Sequence, residues 1–275
     1  MEKKVSIVTG SSSGLGKEIA KLLAEEGHVV YAVARRREKL LELKKKCSRF
    51  NGEIRVIDGD LTDSKFREKI ISHVLRQAKK VDYLINNAGY GKLSDLEGTD
   101  YKDIEGMYAL NAIAGEHLAK LVLPSMKKQR SGRIINVASV VSFVPPAYFS
   151  VYNATKAAVH NFTRSLSFEL LGTGVSTSVL FPARMDTPFW IVAFKCKGLT
   201  GTDQKICVEK WTKGSTKALK VAKYLVNHLD SKRVILLPGL LPKLYYYVVA
   251  NIPFVQQGFM KHVIGPKTKK MLGVK

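Results

Sequence analysis

The sequence predicts an α/β fold: a single domain built on a doubly wound parallel sheet of about seven strands, with helices on both faces. Two observations carry that reading. Short apolar, β-branched runs alternate along the chain with longer segments whose apolar residues recur at helical spacing, which is the pattern of a parallel sheet covered on both sides. The first apolar run also passes into a helix through a glycine-rich turn, Gly10-Ser11-Ser12-Ser13-Gly14-Leu15-Gly16. A chain of 275 residues is long enough to bury one large core of this kind.

Val5-Ser6-Ile7-Val8-Thr9 is β-branched and apolar, as a buried strand requires. Lys17 to Glu26 then carries apolar residues at helical spacing, and Gly27 closes that helix. His28-Val29-Val30-Tyr31-Ala32-Val33-Ala34 is the second strand. Continuing in this way, strands are expected near 4–9, 28–34, 53–58, 81–86, 132–138, 175–181 and 233–237. Helices are expected near 14–26, 37–47, 63–79, 100–128, 151–171 and 212–229. In the last helix Ala218, Ala222, Leu225 and Leu229 form a core-facing stripe, opposite Lys210, Lys213, Lys217 and Lys220. Residues 1–239 form the predicted domain, and residues 240–275 extend beyond it.

The glycine-rich turn has a chemical reading. Glycines let the backbone turn tightly and approach a pyrophosphate, and the following helix offers free amides and a positive dipole at its start. Nucleotide binding is the expectation, with Gly10, Ser11, Ser13, Gly14, Leu15 and Gly16 around the phosphates. An acidic residue at the end of the second strand would accept hydrogen bonds from the ribose hydroxyls of NAD. Here the chain reads Ala34-Arg35-Arg36-Arg37, and an arginine at that place pairs with a 2′-phosphate. Arg35 and Arg36 therefore point to NADP(H).

Tyr152 and Lys156 lie one helical turn apart, with Ser139 upstream of both. A phenol is a weak acid, with an ordinary pKa of about 10. A lysine on the same helix face stabilises its phenolate, and a serine hydroxyl holds a carbonyl oxygen. Together these groups suit protonation of an alkoxide as the carbon that bears it is reduced.

With these residues in place the chain resembles the short-chain dehydrogenase/reductase family over about residues 3–239. The spacing Thr9-Gly10-x-x-x-Gly14-x-Gly16 is that family's. The resemblance implies a Rossmann-type sheet and assigns roles by position. Asp60 and Leu61 contact adenine; Asn87, Ala88 and Gly89, within Asn86-Asn87-Ala88-Gly89, flank the cofactor; Pro182 and Thr187 lie at the nicotinamide. Ser139, Tyr152 and Lys156 are catalytic, Tyr152 and Lys156 also touching the cofactor, and Asn111 supports a water in the proton relay. The family's Pro-Gly is here Pro182-Ala183, a departure that bears on the turn geometry, because alanine does not reach positive φ cheaply. Relatives of this kind often form dimers or tetramers through the helices near 100–128 and 151–171, so a homo-oligomer is expected.

The substrate is read from what borders the reactive groups. Ser139, Phe143, Phe149, Phe189 and Trp190 are taken as the pocket, and the segments around them are apolar and aromatic, with no convergent charge. This favours NADPH-dependent reduction of a lipophilic ketone such as a long-chain 3-keto lipid, a steroid or a retinoid. Two alternatives stay open: a 3-oxoacyl group on an acidic acyl carrier protein, and a redox-inert NADP-binding sensor or scaffold.

Composition adds three points. Cys47, Cys196 and Cys207 have no metal-ligand spacing, so no metal is expected and the thiols are read as free ones in a reducing compartment. The first strand begins almost at once, which leaves no room for a signal peptide and gives a cytoplasmic expectation. The net charge is +22, and residues 204–275 hold fourteen Lys/Arg against Glu209 and Asp230. Within that basic quarter runs Leu244-Tyr245-Tyr246-Tyr247-Val248-Val249-Ala250-Asn251-Ile252-Pro253-Phe254-Val255, too short to span a bilayer and broken by Pro253. The extension is open to three readings: packing on its own domain or a partner subunit, lying in an anionic membrane interface, or nonspecific nucleic-acid contact without a recognised motif. Peripheral membrane association is the hypothesis carried forward.

Overall fold

The computed structural model describes residues 2–195, 201–264 and 266. Its centre is a seven-stranded sheet. The strands are β1 (Val5–Thr9), β2 (Val29–Ala34), β3 (Glu53–Asp58), β4 (Tyr83–Asn86), β5 (Gly132–Val137), β6 (Val175–Leu180) and, at the far edge, a two-residue strand Ile235–Leu236. They lie in the order β3-β2-β1-β4-β5-β6 followed by that edge strand, with every pair parallel. All five residues of β1 are buried. Their neighbours explain why the strand reads as a continuous apolar run: Val8 packs into one core cluster and Ile7 into another, on opposite faces of the sheet.

The helices are α1 (Gly14–Glu25), α2 (Arg37–Lys46), α3 (Ser64–Ala78), α4 (Tyr101–Tyr108), α5 (Ala114–Gln129), α6 (Ser150–Glu169), α7 (Phe189–Lys195), α8 (Gly201–Thr212) and α9 (Ala218–Val226). On one face α1 buries Leu15, Ile19 and Leu23 with Val221, Ala222 and Leu225 of α9. On the other face Ile70 and Val74 of α3, Leu118 and Val122 of α5 and Leu166 of α6 close the second cluster. Gly27, at φ +94, reverses the chain after α1. Asp63 caps α3 by accepting a hydrogen bond from the Lys65 amide at 2.9 Å.

Two expectations need correction. The helix near 100–128 is interrupted: a π-helical turn at Ala109–Ile113 separates α4 from α5, and its extra residue re-aims Asn111. The helix near 212–229 begins only at Ala218. Gly214 at φ +75 breaks the chain there, and Thr216–Lys217 is extended and pairs with Met185–Asp186. Lys210 and Lys213 therefore lie outside α9. Of the readings open for the extension, its first part follows one: it packs on its own domain. Helix α10 (Leu240–Leu244) leads into a π-helical turn at Tyr245–Val249, whose Tyr245 and Tyr246 join the core cluster of Val179, Phe181 and Leu237. Gln256, in α11 (Pro253–Phe259), ties this segment down by donating to the Phe143 carbonyl at 2.7 Å. Cys196 and the lysine-rich residues 267–275 lie outside the described residues. Cys47 and Cys207 are free thiols.

Candidate active site

The site begins with one buried face of α6, which carries Tyr152, Thr155, Lys156, Val159 and Thr163. Tyr152 and Lys156 are both buried, at 9 % and 4 % exposure. The Lys156 Nζ donates to the Val137 carbonyl at the end of β5, at 2.8 Å. It stands 5.8 Å from the centre of the Tyr152 ring. Ser139, two residues beyond β5, heads a short 3₁₀ turn at Val140–Ser142, where its hydroxyl accepts from the Val141 amide at 3.4 Å and lies beside that of Tyr152. The three groups predicted from sequence thus meet where a strand end, a turn and a helix face converge.

Their electrostatics differ from the expectation of an acidified phenol. Burial pushes the Tyr152 phenol up, with the Ser139 hydrogen bond pulling the other way. Burial also pulls Lys156 down, to about 8. Both shifts have one cause, because a dry environment disfavours the charged form of each group. The protein alone therefore holds Tyr152 as a neutral hydroxyl.

Asn111 is held by three side-chain hydrogen bonds. Its Oδ1 accepts from the Tyr90 amide at 2.9 Å, and its Nδ2 donates to the Tyr90 carbonyl at 2.8 Å and to Thr155 Oγ1 at 3.0 Å. It braces the Gly89–Tyr90 turn against α6 and does not line the main cleft. A Cβ on Gly89 would stand 3.0 Å from Asn111 Oδ1 and 3.4 Å from Lys156 Nζ, so the glycine is what lets this turn approach both.

A cleft of about 1030 Å³ runs past these groups. At one end it is lined by Gly10, Ser13, Gly14, Leu15, Arg35, Arg36, Asp60 and Leu61, and further along by Asn87, Ala88, Gly89, Pro182 and Thr187. The fit to a dinucleotide is tested by the backbone. Gly10 sits at φ +72, and a Cβ there would meet Asn87 Nδ2 at 2.8 Å; Gly14 sits at φ +55. Ser13, at the start of α1, caps no helix amide with its side chain. Its hydroxyl instead accepts from Arg36 Nη2 at 2.8 Å, which also donates to Ser12 Oγ at 2.8 Å. The bare glycine turn, the uncapped amides and the arginine beside them suit a phosphate-bearing ligand. Thr9 knits this end together, its hydroxyl accepting from the Asn87 and Ala88 amides at 2.9 and 3.0 Å.

Three assignments are corrected by placement. Ser11 is fully buried and turned inward, donating to the Val8 carbonyl at 2.7 Å; Ser12 lines the cleft in its stead. Gly16 is buried too, and serves close packing: a Cβ there would stand 2.4 Å from Asn87 Nδ2 and 2.6 Å from the Gly10 carbonyl oxygen. Phe143 points away from the cleft into an aromatic group with Phe181, His160 and Tyr246. The turn at Val140–Ser142 reverses the chain just before Phe143, so nearness in sequence to Ser139 did not bring it to the pocket. Phe149, Phe189 and Trp190 do line the cleft, joined there by Leu93, Val141, Arg184 and Trp211, which the sequence reading missed. Asp60 lines it as well, while its Oδ1 accepts from the amide and hydroxyl of Thr62.

A family model described as short chain dehydrogenase matches residues 4–195. The chain belongs to the short-chain dehydrogenase family. It is 35 % identical over 188 residues to an oxidoreductase of Staphylococcus epidermidis, a match that spans 68 % of this chain and 80 % of that protein. Among solved structures it is similar to the alcohol dehydrogenase of the archaeon Thermococcus sibiricus complexed with 5-hydroxy-NADP, at 25 % identity and a TM-score of 0.73 over 86 % of this chain and 94 % of the other. It is also similar to L-sorbose reductase of Gluconobacter frateurii complexed with NADPH and L-sorbose, at 26 % identity and a TM-score of 0.75 over 84 % and 91 %. As a member of this family the chain is an oxidoreductase, and the convergence of Ser139, Tyr152 and Lys156 marks where a short-chain dehydrogenase would work.

The buried lysine of this short-chain dehydrogenase has a consequence for stability. Its pKa falls from an ordinary 10.5 to about 8 in the fold. Between those values the unfolded chain binds more protons than the folded one, so the lysine's contribution makes the fold more stable as pH rises through that window. Lys156→Met keeps the aliphatic stem and removes the buried charge. We predict that the variant is more stable than the parent near neutral pH, by up to about 3 kcal/mol. The gap should narrow as pH rises from about 8 to about 10. Urea denaturation at several pH values checks this, and a gap independent of pH would contradict it.

Proposed function

We propose that this short-chain dehydrogenase is an NADPH-dependent reductase of a lipophilic carbonyl compound, acting at an anionic membrane surface. The observation that carries the reductase reading is the neutral Tyr152 hydroxyl beside Ser139, buried in a cleft whose walls are Leu93, Val141, Phe149, Phe189 and Trp190. Phe149 and Phe189 each approach the Tyr152 ring to 5.4 Å between centroids. Such a wall excludes water and accepts an apolar chain or ring system.

The residues divide the work. The Ser139 hydroxyl donates to the carbonyl oxygen and fixes its position. The Tyr152 hydroxyl hands its proton to that oxygen as negative charge builds on it. Lys156, mostly charged at neutral pH with a pKa of about 8, stabilises the phenolate left behind. The Val137 carbonyl holds the Lys156 ammonium in place, and Asn111 braces the Gly89–Tyr90 turn beside it. Bound NADPH supplies the two electrons and the hydrogen that reduce the carbonyl carbon. The choice of NADP(H) rests on Arg35 and Arg36 at the end of β2, where an NAD-binding site would carry a carboxylate. The NADP-bound archaeal alcohol dehydrogenase and the NADPH-bound sorbose reductase support that choice. The +22 charge keeps a second delivery route in view, in which an acidic acyl carrier protein presents a 3-oxoacyl chain to the same cleft.

The membrane reading rests on the extension. Its inward side, with Pro242, Tyr246 and Val249, packs on the domain, while Leu240, Leu244, Tyr247 and Phe254 are exposed. Leu240 and Phe254 are 82 % and 77 % exposed. Lys243 and Lys261 flank them in sequence, in the most basic quarter of the chain. Apolar side chains among lysines suit the headgroup region of an anionic bilayer. Among the described residues no helix is long and apolar enough to cross a membrane.

Two measurements test these readings. Tyr152→Phe should abolish NADPH-dependent reduction across a panel of lipophilic ketones while NADPH binding, followed by cofactor fluorescence, persists. Near-normal turnover by that variant would overturn the role of the hydroxyl. Replacing Leu240, Leu244 and Phe254 together by glutamate should release the protein from anionic vesicles without lowering its melting temperature. Unchanged vesicle binding by the variant, or no binding by the parent, would remove the membrane from the account.

A further inference from the structure

The sequence reading expects no charge in the pocket, but the structure places one there. Arg184 follows Pro182-Ala183 and lines the same cleft as Ser139 and Tyr152. Its position is built by several neighbours. The Nε donates to Ser215 Oγ at 2.9 Å, Nη2 reaches the Lys213 carbonyl at 3.5 Å, and the guanidinium lies 4.9 Å from the centre of the Trp211 ring. Both hydrogen-bond acceptors are neutral. Among the described residues no carboxylate pairs with Arg184. The solvent-shielded indole N–H of Trp211 also lacks an acceptor among them.

The path from the reactive hydroxyl to this cation is continuous and aromatic. Tyr152 contacts Phe149 at 5.4 Å between ring centres, Phe149 contacts Trp190 at 6.1 Å, and Trp190 contacts Trp211 at 5.5 Å. Arg184 stacks on the last ring of the series. Leu241 and Tyr245 of the extension line the cleft as well. A proton donor and an arginine with no carboxylate partner among the described residues therefore line one cleft, linked by a series of aromatic contacts. An arginine stacked on an aromatic face presents its remaining N–H groups in a planar fork, the geometry that carboxylate and phosphate oxygens take up. Arg184 is exposed; the partial desolvation of its guanidinium lowers the pKa, with Tyr245 opposing the shift, and the group remains cationic at any physiological pH.

We propose that Arg184 is a specificity-determining residue that binds an anionic group, carboxylate or phosphate, at the far end of the substrate from its carbonyl. The substrate is then an amphiphile, with a reducible carbonyl, an apolar middle and an anionic head. The inference deepens the reductase reading and rests on it. It also narrows that reading, since neutral steroids and retinoids would make no use of the arginine's charge, while keto acids and phosphate-bearing keto lipids would pair with it.

The test uses the full chain and three kinds of probe at several chain lengths: fatty acids carrying a methyl ketone at the end remote from the carboxylate, their methyl esters, and the matching alkyl phosphates. With the parent protein, kcat/KM should favour an anionic probe over the neutral ester of the same length. Arg184→Met should collapse that preference by about tenfold or more, the size expected of one charge-assisted contact, through KM and not kcat. Arg184→Lys should restore part of it. The acid and phosphate arms show which anion the site prefers. A preference that survives in Arg184→Met, or a parent protein that does not distinguish acid from ester, overturns the proposal. Equilibrium binding of dodecanoate and methyl dodecanoate, followed by tryptophan fluorescence, separates the two readings. If no ketone is turned over, the reductase reading fails. Arg184-dependent preference for dodecanoate would still uphold the anion site, and equal binding of both probes would sink it too.

Discussion

The 2.8 Å hydrogen bond from the Lys156 ammonium to the Val137 carbonyl joins the two halves of this molecule. It fixes one face of α6, which carries Tyr152, against the end of β5, two residues before Ser139. A lysine held this far from solvent disfavours its own charge, so the fold gives up stability where it places the group. The compensation is spread over the core. Both faces of the sheet are closed by extensive apolar clusters, and the polar site occupies the strand ends between them.

The turns around the cleft follow from the same constraint. Gly10 and Gly14 adopt positive φ where the chain leaves β1, and Gly89 lets the turn after β4 come close to Lys156 and Asn111. The π-helical turn before α5 supplies the extra residue that brings Asn111 to Tyr90 and Thr155. Three arginines line the cleft, Arg35, Arg36 and Arg184, and a nucleotide phosphate and the proposed amphiphile's head are anions of the kind such groups suit. The extension contributes Leu241 and Tyr245 to the lining while presenting Leu240 and Phe254 to the exterior, so the proposed membrane contact and the substrate cleft share one segment.

Much of this was legible in the chain. Strands β1 and β2 could be read because they are buried on both faces and run as continuous apolar, β-branched segments, while β3 at the sheet edge is only partly buried and keeps charged residues at its ends. Ser139, Tyr152 and Lys156 could be read because residue type and helical spacing already specify shared chemistry. What depended on three-dimensional direction could not be read. Phe143 is four residues from Ser139, yet an intervening 3₁₀ turn sends it into the core beneath Tyr246. Ser11 sits inside the glycine turn, but its hydroxyl closes on Val8. The acidity expected of Tyr152 assumed that a nearby ammonium outweighs burial, and with Nζ 5.8 Å from the ring centre burial wins. Arg184 was overlooked because an arginine near a loop reads as solvated; it is exposed, and what the sequence does not show is that Trp211 and Ser215 hold it at the cleft. Its position directly after Pro182-Ala183, at the rim of the cleft, was the available signal.

The central claim is that the hydroxyls of Tyr152 and Ser139 act together on one carbonyl oxygen, within reach of a bound dinucleotide. A crystal structure with NADP and an unreduced ketone tests it most directly. The account predicts both hydroxyl oxygens within hydrogen-bond distance of the ketone oxygen, the ketone carbon facing the nicotinamide ring, and the 2′-phosphate beside Arg35 and Arg36. A ketone oxygen bound by neither hydroxyl, or a nicotinamide ring lying away from Tyr152, would contradict it.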